Sequence, residues 1–151
     1  MIAKDIMTRD VITVKASDNV EDVAKLMVDN KISGIPVVDE NDHVIGIVTE
    51  QDLMVKASDL KVPFYITLFD SIIFLENPMK FNDNFRKYTA VKVKDIMTTK
   101  VSVVPEDTEI PEIVKIMTKN EINRVPVERH NKIVGIITRN DILKSLVAHH
   151  E

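Results

Sequence analysis

Apolar and polar positions alternate along this chain in blocks that occur twice. "VITV" (Val11–Val14) and "VSVV" (Val101–Val104) are short β-branched runs, and they predict strands. A polar break follows each. Val20, Val23, Ala24 and Met27 then recur at helical spacing, as do Ile110, Ile113, Val114 and Met117. Each set predicts one apolar helix face turned toward a core. Asp18 with Glu21 supplies an Asp-x-x-Glu helix start in the first block. Pro111 falls in the first turn of the second, where a missing N–H costs little. "GIPVVD" (Gly34–Asp39) and "RVPVE" (Arg124–Glu128) predict strands, each followed by a polar turn, a glycine-containing strand and a last helix. Each copy reads strand–helix–strand–strand–helix. Met27 and Met117 read as core fillers.

The repeat is in close register. Both copies open with "DIMT", at Asp5–Thr8 and Asp95–Thr98. Lys4 matches Lys94, but Gly46 matches Gly135, so the second copy has lost one residue. The loss falls in "ERHNK" facing "DENDH", a strand-to-strand turn that accepts such changes. Copy one covers 1–57 and copy two 91–151. The segment 58–90 between them is too apolar for a flexible linker and is expected to pack on the module, the alternative being that it forms part of an oligomer contact or a lid. Within it, Phe81 and Phe85 stand at helical spacing. A unit of about 55 residues is marginal alone. The two copies are therefore expected to pack sheet against sheet, with a groove between them.

Composition narrows the function. Among 151 residues, the net charge of −4 argues against nucleic acid or an anionic membrane as the main partner. Cysteine is absent, which removes disulfides, thiolate metal sites and a cysteine nucleophile. No apolar run reaches the roughly 18 residues of a spanning helix. The start "MIAKDIMTRD" lacks the apolar core of a signal peptide, so the expected location is the cytoplasm. His43 and His130 lie in turns, no His-x-x-x-His pair occurs, and no metal site is expected. No phosphate loop, nucleophile elbow or paired-carboxylate arrangement occurs, so no catalytic residue is assigned.

What remains is Thr-x-x-Asp, twice. Thr49 and Asp52 follow "VIGIV", and Thr138 and Asp141 follow "IVGII". Each pair reads as a helix N-cap with an acidic third position. A helix N-terminus is also where phosphates bind, so cap and ligand contact are compatible. Gly46 and Gly135 read equally as close-packing positions or as room for a ligand.

These motifs together resemble a tandem pair of CBS domains (cystathionine β-synthase type), often called a Bateman module. "DIMT", "IPVVD" and "GIVTEQD" carry the resemblance, repeated as "DIMT", "RVPVE" and "GIITRND". It implies an α/β fold of two pseudo-twofold related β-α-β-β-α repeats, packed through their sheets into one module that commonly forms a homodimer. It implies a regulatory, non-catalytic module that binds AMP, ADP, ATP or S-adenosylmethionine in the groove and acts on a separate protein. No catalytic cofactor is implied. Carried over, Asp52 and Asp141 accept hydrogen bonds from ribose hydroxyls. Thr49 and Thr138 offer a hydroxyl to a phosphate or ribose oxygen. Ser33, Gly34, Ile35 and Pro36, with Asn123, Arg124, Val125 and Pro126, border the base. Ile35 and Val125 pack on its face. Ile12 and Thr13 in copy one and Ser102 in copy two come from the first strands. Arg124 faces Gly34 and Arg139 faces Glu50, so the phosphate is expected beside copy two. The alternative is a ligand-free protein-interaction module in which the Thr-x-x-Asp pairs are only caps.

Overall fold

In a computed structural model, residues 1–59 and 91–148 are described. The segment 60–90, with most of the expected insert and the Phe81–Phe85 helix, lies outside them. Copy one supplies α1 (Ala3–Ile6), α2 (Val20–Asn30), β1 (Gly34–Val38), β2 (Val44–Thr49) and α3 (Glu50–Asp59). Copy two supplies α4 (Val93–Ile96), β3 (Val104–Pro105), α5 (Ile110–Asn120), β4 (Arg124–Arg129), β5 (Lys132–Thr138) and α6 (Arg139–Ala148). The class is mixed α/β, as expected. β1 and β2 form a two-stranded sheet. β3, β4 and β5 form a three-stranded one, with β3 parallel to β4 and β4 antiparallel to β5.

The first strands are shorter than predicted. Of Val11–Val14 only Val14 bridges, in parallel to Val37, and of Val101–Val104 only Val104 enters a strand. Proline explains this. The Val14 N–H donates to the Pro36 carbonyl at 3.1 Å, so that edge of β1 faces the first segment. Pro36 has no N–H to return, which cuts the ladder. Pro126 holds the matching place in β4. A second correction concerns Asp18. Asn19, not Asp18, precedes α2, and Asp18 Oδ2 instead accepts the Lys15 N–H at 2.9 Å. Its side chain closes a local turn in competition with the helix cap.

The two hairpin turns account for the missing residue. In copy one, Asp39 and His43 flank a three-residue loop, with Asp39 Oδ1 accepting the N–H of Asn41 and His43 and Asp42 at φ 63°. In copy two, Arg129 pairs with Lys132 around His130 and Asn131, both at positive φ. Two consecutive left-handed residues are the turn that suits the twist of a tight hairpin.

The "DIMT" segments form single helical turns. Asp5 Oδ2 accepts the Ile2 N–H at 2.9 Å, and Asp95 Oδ2 accepts the Lys92 N–H at 3.1 Å. Each carboxylate thus reaches back to hold the turn's first N–H. Each turn then bonds to the other copy. Ala3 and Lys4 N–H donate to the carbonyls of Thr108 and Glu106 at 2.8 and 2.9 Å. Val93 and Lys94 donate to Asp18 and Ala16 at 2.9 and 3.0 Å. Thr8 exchanges two backbone bonds with Ile136, and Thr98 exchanges two with Ile47. The compact units accordingly cut across the repeats. One holds Met1–Thr13, Val38–Gly46 and Thr99–Glu151; the other holds Val14–Val37 and Ile47–Thr98.

Each unit has its own buried apolar residues. In the first, Ala3 and Met7 join Val104, Ile113, Met117, Val127 and Ile137. Gly135 is a close-packing position: a Cβ there would lie 2.8 Å from Met7 Cγ and nearer still to its Sδ. In the second, the predicted face Val20, Val23, Ala24 and Met27 is buried, along with Val37, Val48 and Val93. The matching face of α5 departs in two places, the first being Ile110, which is only half-buried where Val20 is buried. The second is Val114, which stands at the edge of the stripe where copy one has the smaller Ala24 and is 38% exposed.

Candidate functional site

Each copy builds the same corner where its second strand of the hairpin runs into the last helix. In copy one, β2 ends at Thr49 and α3 starts at Glu50. Asp52 Oδ2 accepts the Thr49 N–H at 2.9 Å and the Thr49 hydroxyl at 3.1 Å. The Thr49 hydroxyl oxygen in turn accepts the Asp52 N–H at 3.3 Å. Copy two repeats this: Asp141 Oδ2 takes the Thr138 N–H at 2.8 Å and hydroxyl at 2.9 Å, and Asp141 N–H donates to Thr138 Oγ1 at 3.3 Å. The capping role read from the sequence is therefore present in both copies.

The caps occupy one carboxylate oxygen. Both aspartates are half-buried, with the other oxygen, Oδ1, turned away from the cap. An ionised carboxylate is a pure acceptor, suited to hydroxyl donors such as a vicinal diol. At Asp141, Oδ1 takes no donor among the described residues. At Asp52, Oδ1 accepts the Thr98 hydroxyl at 3.2 Å. Thr98, the last residue of the second "DIMT", was given no part in the site by sequence reasoning. The repeat of "DIMT" was the available signal, but its partner lies 46 residues away in the opposite copy.

The strand starts expected to border a base do meet these corners. The Ser33 carbonyl accepts the Glu50 N–H at 2.9 Å, and the Asn123 carbonyl accepts the Arg139 N–H at 2.8 Å. Arg124 lies opposite Thr138 in the ladder, and Arg139 follows Thr138 in the chain, so both arginines adjoin one threonine along the backbone. The matching positions of copy one carry Gly34 and Glu50. Corner two thus carries two arginines at positions where corner one carries a glycine and a glutamate. Gly34, Ile35, Pro36, Val125 and Pro126 are buried. Ser33, Asn123, Arg124 and Arg139 are the groups of these stretches with accessible surface. Ile12, Thr13 and Ser102 are half-buried, and all three group with the unit that holds Thr138 and Asp141.

Beside corner two, an open pocket of about 370 Å³ lies between α5 and α6. Val114, Met117, Ile122, Ile142 and Leu143 line it, together with the polar Thr118, Glu121, Asn123 and Arg139. Among the described residues, no group of three or more histidines and carboxylates is placed to hold a metal ion. None of the described helices is long and apolar enough to cross a membrane.

The chain is similar to known proteins in sequence and in fold. The protein MJ1426 of Methanocaldococcus jannaschii is 32% identical over 155 residues, covering 97% of this chain and 92% of that protein. The chain spans only 23% to 38% of three longer relatives. The crystal structure of CBSX2 in complex with AMP matches with a TM-score of 0.75 at 24% identity, over 99% of this chain and 98% of that one. The CBS domain pair of MJ0100, in complex with 5′-methylthioadenosine and S-adenosyl-L-methionine, matches with a TM-score of 0.71 at 24% identity, over 99% and 98%. These two structures establish the likeness in fold. The CBS-domain family model matches residues 3–59 and 93–148, one copy each. With two such matches in one chain and CBS-pair structures sharing its fold, this chain belongs to the CBS domain family as a tandem pair.

Proposed function

We propose that the chain is a non-catalytic regulatory module that holds an adenosine-containing ligand (AMP, ADP, ATP or S-adenosylmethionine) at its Thr-x-x-Asp corners. The observation that carries this reading is Asp141 Oδ1, which takes no donor among the described residues, at the corner where Arg124 opens the strand and Arg139 opens the helix. A ribose diol supplies two donors to that oxygen, and a phosphate suits the two guanidinium groups. The bound nucleosides of CBSX2 and MJ0100 support the ligand class. The ligand acts by favouring one arrangement of the chain over another, and only by its difference in affinity for the two. The effect then passes to a separate regulated protein.

The same reading includes a homodimer. Leu143, Leu146 and Val147 are 53%, 58% and 65% exposed and share one side of α6, next to Val114 and the apolar pocket. Such a face suits an isologous contact with a second copy. Calorimetric titration with AMP, ADP, ATP and S-adenosylmethionine tests the ligand. Saturable binding by at least one is expected. Absence of heat and of any thermal shift with all four would leave the ligand-free interaction module as the better reading.

A further inference from the structure

The geometry points to Thr98 as the residue that makes the two corners unequal: its hydroxyl competes with a ligand's ribose diol for Asp52, so corner two fills first. This rests on the adenosine reading above. A carboxylate has about four acceptor positions. At Asp141, two are used, both on Oδ2, by Thr138. Among the described residues Oδ1 is left whole, and it can accept both hydroxyls of a vicinal diol. At Asp52, the same two positions are used by Thr49, and Thr98 takes a third, on Oδ1, at 3.2 Å. One position remains there for two incoming donors, so a diol must displace Thr98 to bind in the same way.

The backbone does not account for the difference. Thr8 pairs with Ile136 as Thr98 pairs with Ile47, through two backbone bonds each, and both threonines end a "DIMT". Among the described residues, the Thr98 hydroxyl bonds to Asp52, and the Thr8 hydroxyl makes no matching bond to Asp141. Charge acts in the same direction: Arg139 stands in corner two where Glu50 stands in corner one. Thr98 itself is exposed, so a ligand can displace its hydroxyl into water. The competition therefore weakens binding at corner one without closing it.

The test uses the full chain and AMP as probe. Asp141→Ala removes the diol acceptor of corner two and leaves corner one to be read alone by calorimetry. Adding Thr98→Val, which keeps the shape and deletes the hydroxyl, should tighten AMP by about two- to tenfold, the net scale of a typical intramolecular hydrogen bond. Thr98→Ser, which keeps the hydroxyl, should stay at the parent value. The gain should vanish for 2′-deoxy-AMP, which brings one ribose donor fewer. Equal or weaker AMP binding after Thr98→Val overturns the proposal and leaves the adenosine reading standing. No binding of AMP, ATP or S-adenosylmethionine by the unaltered chain overturns both.

Discussion

Asp141→Asn separates the two jobs of the aspartate. Oδ2 holds the start of α6 through the Thr138 N–H at 2.8 Å and hydroxyl at 2.9 Å. An asparagine carbonyl can accept the same two donors from this third helical position. What stability loses is the charge at the helix N-terminus, worth about 0.3–1 kcal/mol. For a chain of this length that lowers Tm by about 1–4 °C. The ligand loses more. The second amide position carries an NH2 where Oδ1 stood, so a donor now faces the donors of a diol. Losing hydrogen bonds to a charged acceptor costs about 1.5–3 kcal/mol, or about ten- to 150-fold in affinity. Asp141→Ala gives the contrast, since it also deletes the two bonds that the carboxylate accepts from Thr138, at about 0.5–1.5 kcal/mol each. Calorimetry with AMP and thermal unfolding, run on both variants, give the two quantities side by side. An asparagine variant that binds AMP as the parent does would refute the assignment of Oδ1 to the ribose. One that melts as low as the alanine variant would refute the account of the cap.

Three further outcomes follow from other parts of the chain. Gly135→Ala puts a Cβ 2.8 Å from Met7 Cγ, which should destabilise the fold by about 1–3 kcal/mol. The loss should shrink in a Met7→Ala background, and a penalty independent of Met7 in thermal melts would rule out their contact. Arg139→Ala should weaken AMP by about two- to fivefold, as for an exposed ion pair, and leave adenosine unchanged. Calorimetry showing the same loss for both would mean that Arg139 does not meet the phosphate. Leu146→Glu should convert a dimer to a monomer by native mass spectrometry, and a dimer that persists would place its contact away from α6.

Periodicity and the repeat made much of this fold legible. The buried face of α2, the corner caps and the hairpin turn with one residue fewer all follow from local pattern. The misses have non-local causes. Val11–Thr13 looks like a strand by composition, yet its pairing depends on Pro36, whose absent N–H acts across the sheet. Asp18 was free to close a turn or cap a helix, and only the path of the chain decides. Lys31 and Glu121 take left-handed backbone at the ends of α2 and α5, with φ of 54° and 53°. Neither residue type signals this, because glycine is the usual occupant. The exchange of the "DIMT" turns left no trace in spacing, since each copy alone still reads as complete.

That exchange gives the two corners different consequences. Thr98 is tied to copy one three times: by two backbone bonds to Ile47 and by its hydroxyl to Asp52. The turn just before it, α4, bonds to Asp18 and Ala16. A ligand that takes Asp52 Oδ1 therefore releases one of the ties that hold the start of copy two against the loops of copy one. A ligand at Asp141 breaks no such tie, because Thr8 reaches copy two through backbone bonds alone among the described residues. Occupancy of corner two can thus be tight and nearly silent. Occupancy of corner one is weaker, because part of its binding free energy goes into loosening the Thr98 segment. The same cost is what allows it to signal, since a ligand shifts a conformational balance only by the difference between its affinities for the two states. Deleting the Thr98 hydroxyl should then tighten corner one and reduce the change that its ligand produces, and hydrogen exchange at Val93–Thr98 with and without AMP reads both effects on the same segment.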